Sequence, residues 1–185
     1  MTIDLDSRLA DGDATHTDVV EHLVAHYYRG VHHLALSLLG DTAEADDVAQ
    51  QTMIQAANKI NQYEPHTNLK AWVYQFGVNN ARAHLRKRAT RERMHQLLHR
   101  STPKTSCTNM PEEAAMMSER KRWLWSAVQT LPPKHRFPIV LRYLFDFSTA
   151  EIAQILDVPD GTVRSRLHYA EKKLHGLLTA AEVIQ

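Results

Sequence analysis

The segment from Leu131 to Leu178, LPPKHRFPIVLRYLFDFSTAEIAQILDVPDGTVRSRLHYAEKKLHGLL, constrains the fold more than any other stretch, because it spells out two helices separated by a tight turn. Ser148 followed by Glu151 has the spacing of a capping box, in which each side chain satisfies a free amide at the start of a helix. Ile152, Ala153 and Leu156 supply the apolar face of this short helix. The turn is expected at Asp157 to Gly161, with Asp160 at or beside the next N-cap, where a carboxylate meets the positive end of the helix. Val163, Leu167, Ala170, Leu174 and Leu177 or Leu178 then recur at helical spacing and bury one stripe. Arg164, Ser165, His168 and Lys172 lie off that stripe, where a helix-turn-helix presents side chains to a major groove. An ordinary amphipathic hairpin with a solvated charged face fits the same pattern taken alone.

Upstream, the periodicity is helical throughout, without strand alternation, so the expected class is all-α: two small helical bundles joined by a flexible linker, the C-terminal one a helix-turn-helix. A first helix is expected to begin near Asp18, whose spacing to Glu21 suits a capping box, with a stripe of Val20, Leu23, Val24, Tyr27, Val31, Leu34, Leu38 and Leu39 and a stop at Gly40. A second, from about Ala43 to Ile60, buries Ala49, Met53, Ala56 and Ile60 and shows Asp47, Gln50, Gln51, Gln55 and Asn58 outward. A third starts near Asn68, buries Leu69, Trp72, Val73 and Phe76 and ends in the basic run Arg86, Lys87, Arg88. Arg100 to Asn109 is almost free of apolar residues and reads as a linker. From Glu112 a helix resumes with Met117, Leu124, Val128 and Leu131, stopped by Pro132-Pro133. The next carries Phe137, Val140, Leu141 and Leu144, with Pro138 expected in its first turn.

The net charge of +1 conceals a steep division along the chain. Residues 1–50 carry only Arg8 and Arg29 against ten acids, whereas residues 51–100 carry nine Lys or Arg against Glu64 and Glu92. The basic block is the footprint expected of phosphate contact, and the acidic front half suits a basic protein surface. Hydrophobic residues make up 43% of the chain, enough for globular cores, and no apolar run approaches the ~18 residues of a membrane span. The acidic first residues do not resemble a secretory signal, so the expected location is the cytoplasm, without membrane insertion. Cys107, the single cysteine, excludes an internal disulfide and a cysteine-based zinc cage. His22 and His26 have a spacing compatible with two zinc ligands, but the sequence supplies no third ligand nearby, and neither a metal nor a cofactor is expected. The chain lacks a glycine-rich phosphate loop, a nucleophile elbow and paired carboxylates in a pocket-like context, so no catalytic residue is assigned and the chain is not read as an enzyme.

Two segments resemble one family, the bacterial sigma-70 factors of the extracytoplasmic-function (ECF) group. LPPKHRFPIVLRYLFDFSTAEIAQILDVPDGTVRSRLHYAEKKL is similar to region 4, which recognises the promoter −35 element, and AEADDVAQQTMIQAANKINQYEPHTNLKAWVYQFGVNNARAHLRKR to region 2, which binds the polymerase clamp helices and opens the −10 element. The resemblance implies a sigma factor that binds core RNA polymerase, directs it to promoter DNA and helps open it for transcription initiation. It implies an acidic extension over 1–17, region 2 over 18–95, a linker over 96–111 and region 4 over 112–185. It implies further that Asp47, Gln50, Gln51 and Ile54 dock on the clamp, and that Arg164, Ser165, His168, Tyr169 and Lys172 face the −35 element. Tyr63 is implied near a flipped −10 base and Asn79 beside the −10 strand, with Arg82, Arg86 and Lys87 on phosphates. The family commonly pairs with an anti-sigma factor. Read as residues alone, Tyr63 fits a packed loop aromatic equally well, and Asn79 fits a bridge between helices. A polymerase-independent DNA-binding regulator and a protein-interaction module are the competing functions; the helical front half speaks against the receiver domain the first would need.

Overall fold

The computed structural model describes residues 5–11, 13–98 and 119–182. The described residues form α-helices α1 (Leu5–Asp11), α2 (His16–Leu39), α3 (Thr42–Asn58), α4 (Leu69–Leu98), α5 (Glu119–Gln129), α6 (Pro133–Leu144), α7 (Thr149–Leu156) and α8 (Asp160–Glu182), with a single 3₁₀ turn at Ile60–Gln62. The expected linker at Arg100 to Asn109, with Cys107, and Met117 lie outside the described residues.

The first bundle is α2, α3 and α4. The capping box of α2 uses Thr15 and Asp18 rather than Asp18 and Glu21. Asp18 takes the third helical position because Arg8, from α1, holds its carboxylate at 2.7 Å. That guanidinium, followed by the Thr15 hydroxyl and amide, drives the Asp18 carboxyl far below the usual carboxylate range. Gly40 ends α2 at φ 74°, a left-handed conformation that glycine adopts without strain, and α3 returns beside α2. Asp41 caps α3 by accepting from the Glu44 amide at 2.9 Å. Leu23, Val31, Leu34, Leu38, Val48, Ala49, Val73 and Val78 make the bundle core. The expected stripe of α2 is corrected at its start: Val19 is buried, whereas Val20 and Val24 are exposed, because α1 and α3 cover the neighbouring face. Among the core side chains, Thr52 Oγ1 donates to the Val48 carbonyl at 2.6 Å and accepts from Asn80 Nδ2 at 3.1 Å, which bridges α3 to α4.

The second bundle is α5 to α8. Pro133 opens α6, which places Pro138 in its second turn rather than its first, buried inside the helix. Leu144 and Leu124, expected in apolar stripes, are exposed, while Leu131, Phe137, Val140 and Leu141 are buried as expected. The capping box at α7 is present: the Ser148 amide donates to Glu151 Oε2 at 2.7 Å, and the Glu151 amide to Ser148 Oγ at 3.3 Å. Asp157 ends α7 at φ 53°, and Asp160 is already the first residue of α8, so the turn is shorter than the sequence suggests. Val163, Leu167, Ala170 and Leu174 form the buried stripe of α8, which packs against α6 and α7.

Candidate nucleic-acid and polymerase interfaces

Burying the α8 stripe turns the opposite face to solvent. Arg164, Ser165, His168, Tyr169 and Lys172 are all exposed there, at spacings that place them on one side of the helix. Arg164 is 74% exposed and ion-paired with Asp160 one turn earlier. The Ser165 hydroxyl donates to the Thr162 carbonyl at 3.0 Å, so its oxygen keeps acceptor capacity. Tyr169 is oriented from below: its ring stacks on His135 of α6, with centroids 4.1 Å apart and planes 25° apart. His135 Nδ1 lies 3.3 Å from the Arg166 carbonyl, and burial lowers the pKa of this histidine, favouring the neutral ring.

On α4, Asn79 is exposed and Arg86 and Lys87 point to solvent in the following turns. The helix-bridging amide is Asn80, next in sequence, which frees Asn79 from that role. Helical phase carries this signal, since Asn80 lies on the same side as Val73 and Gly77. Arg82 is half-buried and directed elsewhere: its Nη2 donates to the Leu156 carbonyl at the end of α7, at 3.1 Å, and its guanidinium lies over the Phe137 ring. Tyr63 is 6% exposed, so in this conformation it is a packed ring and not an open platform. Its hydroxyl donates to the Thr67 carbonyl at 3.0 Å, and its ring lies 5.5 Å from Trp72, which meets Phe76 edge-on at 4.8 Å. Trp72 and Phe76 are half-buried, less deeply set than core positions such as Val73. Lys59 sits over Phe76 at 5.6 Å, so the aromatic row carries a cation at its edge, a feature the sequence reading missed.

On α3, Asp47, Gln50, Gln51 and Ile54 are all exposed and share one face opposite the buried Val48, Ala49, Thr52 and Met53. Ile54 is 62% exposed, an apolar side chain framed by polar ones. Elsewhere His22 and His26 stack at 4.1 Å, and among the described residues no group of three or more His, Cys, Asp or Glu could hold a metal ion.

A basic helix with a solvent-facing recognition surface, behind a capped helix and tight turn, defines a DNA-binding protein of the helix-turn-helix class. Sigma-70 region 2 matches residues 23–91 and sigma-70 region 4 matches residues 121–174. The chain is 27% identical over 163 residues to the ECF RNA polymerase sigma factor SigW of Bacillus subtilis, covering 85% of this chain and 87% of that one. It is 32% identical over 144 residues to the ECF RNA polymerase sigma factor EcfG of Rhodopseudomonas palustris, covering 78% and 76%. Its fold matches that of the sigma factor RpoE from Bartonella quintana, solved in complex with the anti-sigma factor NepR, at a TM-score of 0.69 and 23% identity over 86% of this chain and 96% of that one. The chain belongs to the sigma-70 family of RNA polymerase sigma factors, in its ECF group. Its function is that of the family: it binds core RNA polymerase and directs promoter-specific initiation of transcription. None of its described helices is long and apolar enough to cross a membrane.

Proposed function

We propose that the chain reads a promoter with two hands and docks on polymerase with a third surface. The exposed face of α8, with Arg164, Ser165, His168, Tyr169 and Lys172, takes the −35 element, Arg164 being able to grip a guanine edge in bidentate fashion. Asn79, Arg82, Arg86 and Lys87 of α4 hold the −10 strand, with Tyr63 as a base contact once it leaves its packed position against Trp72. Asp47, Gln50, Gln51 and Ile54 of α3 meet the clamp helices of core polymerase. The division is 18–95 for region 2, 96–111 for the tether and 112–185 for region 4, with 1–17 as an acidic extension. The chain supplies sequence choice and strand capture in the cytoplasm, while polymerase supplies the chemistry. The similar RpoE is held by an anti-sigma factor, and we assign this chain a partner of that class.

The observation that carries this reading is that all five α8 residues emerge together on the solvent face while the stripe between them is buried. The test is co-purification with core polymerase followed by mapping of transcription start sites. The expected result is a stable complex and new start sites that share two spaced sequence elements. The proposal fails if core enzyme neither retains the chain nor initiates at a new site in its presence.

A further inference from the structure

Among the described residues His135 is the only buried histidine, and it lies where α6 passes beneath α8. It stands in the first turn of α6, which Pro132 and Pro133 open, and its amide donates to the Pro132 carbonyl at 2.9 Å. Proline fixes a backbone torsion at its own position, so the histidine projects from a stiff base. From there it makes two contacts with α8. Its Nδ1 faces the Arg166 carbonyl at 3.3 Å, and the tautomer with hydrogen on Nδ1 donates there. Its ring stacks on Tyr169, three residues further along α8. One side chain therefore meets both the backbone of α8 and a ring that this backbone carries. Tyr169 follows Ser165 by four residues and precedes Lys172 by three, which puts it on the face of α8 already described. Arg164 and Ser165 are tied within their own helix, whereas Tyr169 is held by a side chain of another.

Stacking covers one face of the phenol ring, while 48% of the residue stays exposed. A ring pinned in this way offers a flat apolar surface in one place, and the ordering of the side chain is complete before DNA arrives. In a major groove the apolar feature on a base edge is the thymine methyl group; the remaining groups there are donors and acceptors. Charge for the phosphates lies around the pair: Lys134 of α6 and Arg166 and Lys173 of α8 are near enough to His135 to disfavour a charge on its ring. We infer that His135 is a positioning residue for promoter reading, which holds Tyr169 so that its ring packs on the methyl group of a thymine in the −35 element. The thymine contact rests on the function proposed above, which turns the α8 face to that element; the ring pair rests on geometry alone.

The pair is read first without DNA. In the full-length parent chain, nuclear Overhauser contacts should join the ring protons of His135 and Tyr169. The Tyr169 ring signals should move downfield in His135→Leu, which has no ring, and stay shielded in His135→Phe. Should His135→Leu lose its helical circular dichroism, His135→Asn, which keeps a donor for the Arg166 carbonyl, takes its place. In the second arm, core polymerase carrying the parent chain selects duplexes from a randomised library, and each thymine of the enriched upstream element is replaced by deoxyuridine, which lacks only the methyl group. At one position the replacement should weaken binding about 4-fold, the worth of one buried methyl group. His135→Leu should weaken binding of the thymine duplex roughly 2- to 12-fold, the cost of ordering a freed side chain, and bring the thymine-to-uracil ratio at that position toward 1. His135→Phe should restore the ratio, and retention by core polymerase should be the same in all three chains. Absent ring contacts in the parent overturn the positioning role. A ratio of 1 at every thymine, or a ratio that survives Tyr169→Ser, overturns the methyl contact, as does a loss in Tyr169→Ser that is even across sequences and marks a phosphate contact. A ratio lost in Tyr169→Ser and kept in His135→Leu overturns positioning alone. Ring contacts present without any enriched upstream element convict the assignment of the α8 face to the −35 element, and the thymine contact falls with it.

Discussion

Replacing Gly30 with alanine sets helix propensity against packing at a single atom. Gly30 lies in the interior of α2, where alanine is favoured over glycine by about 0.8–1 kcal/mol. Propensity alone therefore predicts a more stable chain. Packing predicts the reverse, because a Cβ built on Gly30 meets Tyr74 Oη far inside the 3.0 Å that real contacts respect, with Cζ of the same ring at 3.4 Å. Tyr74 is poorly placed to yield: it is 4% exposed, and Phe145 and Phe147 abut its ring. Overpacking of this kind costs about 1–3 kcal/mol, which leaves Gly30→Ala destabilising by about 0–2 kcal/mol after the propensity gain. Removing the hydroxyl changes the sign. In a Tyr74→Phe background the nearest ring carbon is at ordinary contact distance, and Gly30→Ala should stabilise by about 1 kcal/mol. The double-mutant cycle thus predicts a coupling of about 1–3 kcal/mol, read from urea midpoints of the four chains at equal m-values. Burial pushes the Tyr74 phenol up to about 12, so it stays neutral at the pH of such measurements and its ionisation does not enter the cycle. Equal effects of Gly30→Ala in the two backgrounds, within ~0.3 kcal/mol, would refute the packing argument.

Three further outcomes follow from the caps and the recognition face. Ser148→Ala removes the oxygen that accepts from the Glu151 amide, and should cost about 1 kcal/mol with faster hydrogen exchange in α7; unchanged exchange over 149–156 would contradict its capping role. Hydrogen bonds from the Ser148 hydroxyl and then its amide hold the Glu151 carboxyl below its ordinary 4.5, so its stabilisation is full above that value and is lost as pH falls through the lower folded-state value. Urea midpoints should accordingly drop as pH falls below the ordinary carboxylate range, and Glu151→Gln should flatten that drop; identical slopes would remove Glu151 from the account. Arg164→Ala should weaken capture of a −35 duplex by polymerase carrying this chain by about 1–3 kcal/mol and relax base preference at one position, whereas Lys172→Ala should act evenly across sequences and reduce the salt slope by about 1. Indistinguishable effects of the two variants in competition binding would undo the split between base reading and phosphate contact.

How much of this was legible in the sequence depends on how local each feature is. The helix-turn-helix could be read because its capping box, its turn and the stripe from Val163 to Leu174 all lie within a few turns of chain. The start of α2 could not be phased, because Thr15–Asp18 and Asp18–Glu21 have the same spacing, and the choice depends on Arg8 reaching Asp18 from another helix. Tyr63 was ambiguous for a similar reason, since its burial is decided by Trp72 across the loop. Asn79 and Asn80 were separable in principle by helical phase, as the partner Thr52 lies on the buried side of α3. Lys70, Gln129 and Arg136 left no trace, and the reason is chemical: their acceptors are backbone carbonyls, present at every residue and invisible to any pattern of side chains.

The same chemistry sets the energy scale of the contacts between the bundles. A helix-end carbonyl that loses its donor to an exposed opening is rehydrated, so each contact contributes only its net value, about 0.5–1.5 kcal/mol for the Gln129 amide and about 1.5–3 kcal/mol for a charged donor. Polar contacts of that size join the bundles alongside an apolar one, since the rings of Tyr74, Phe145 and Phe147 are buried where the bundles meet. The stripe of α8 is buried within the second bundle and Val31, Leu34 and Val48 within the first, so the groups buried where the bundles meet are those of the α6–α7 corner and the Tyr74 face. Arg82 donates to a neutral helix-end carbonyl, and on the function proposed above a phosphate, carrying full charge, would be the stronger acceptor for the same guanidinium.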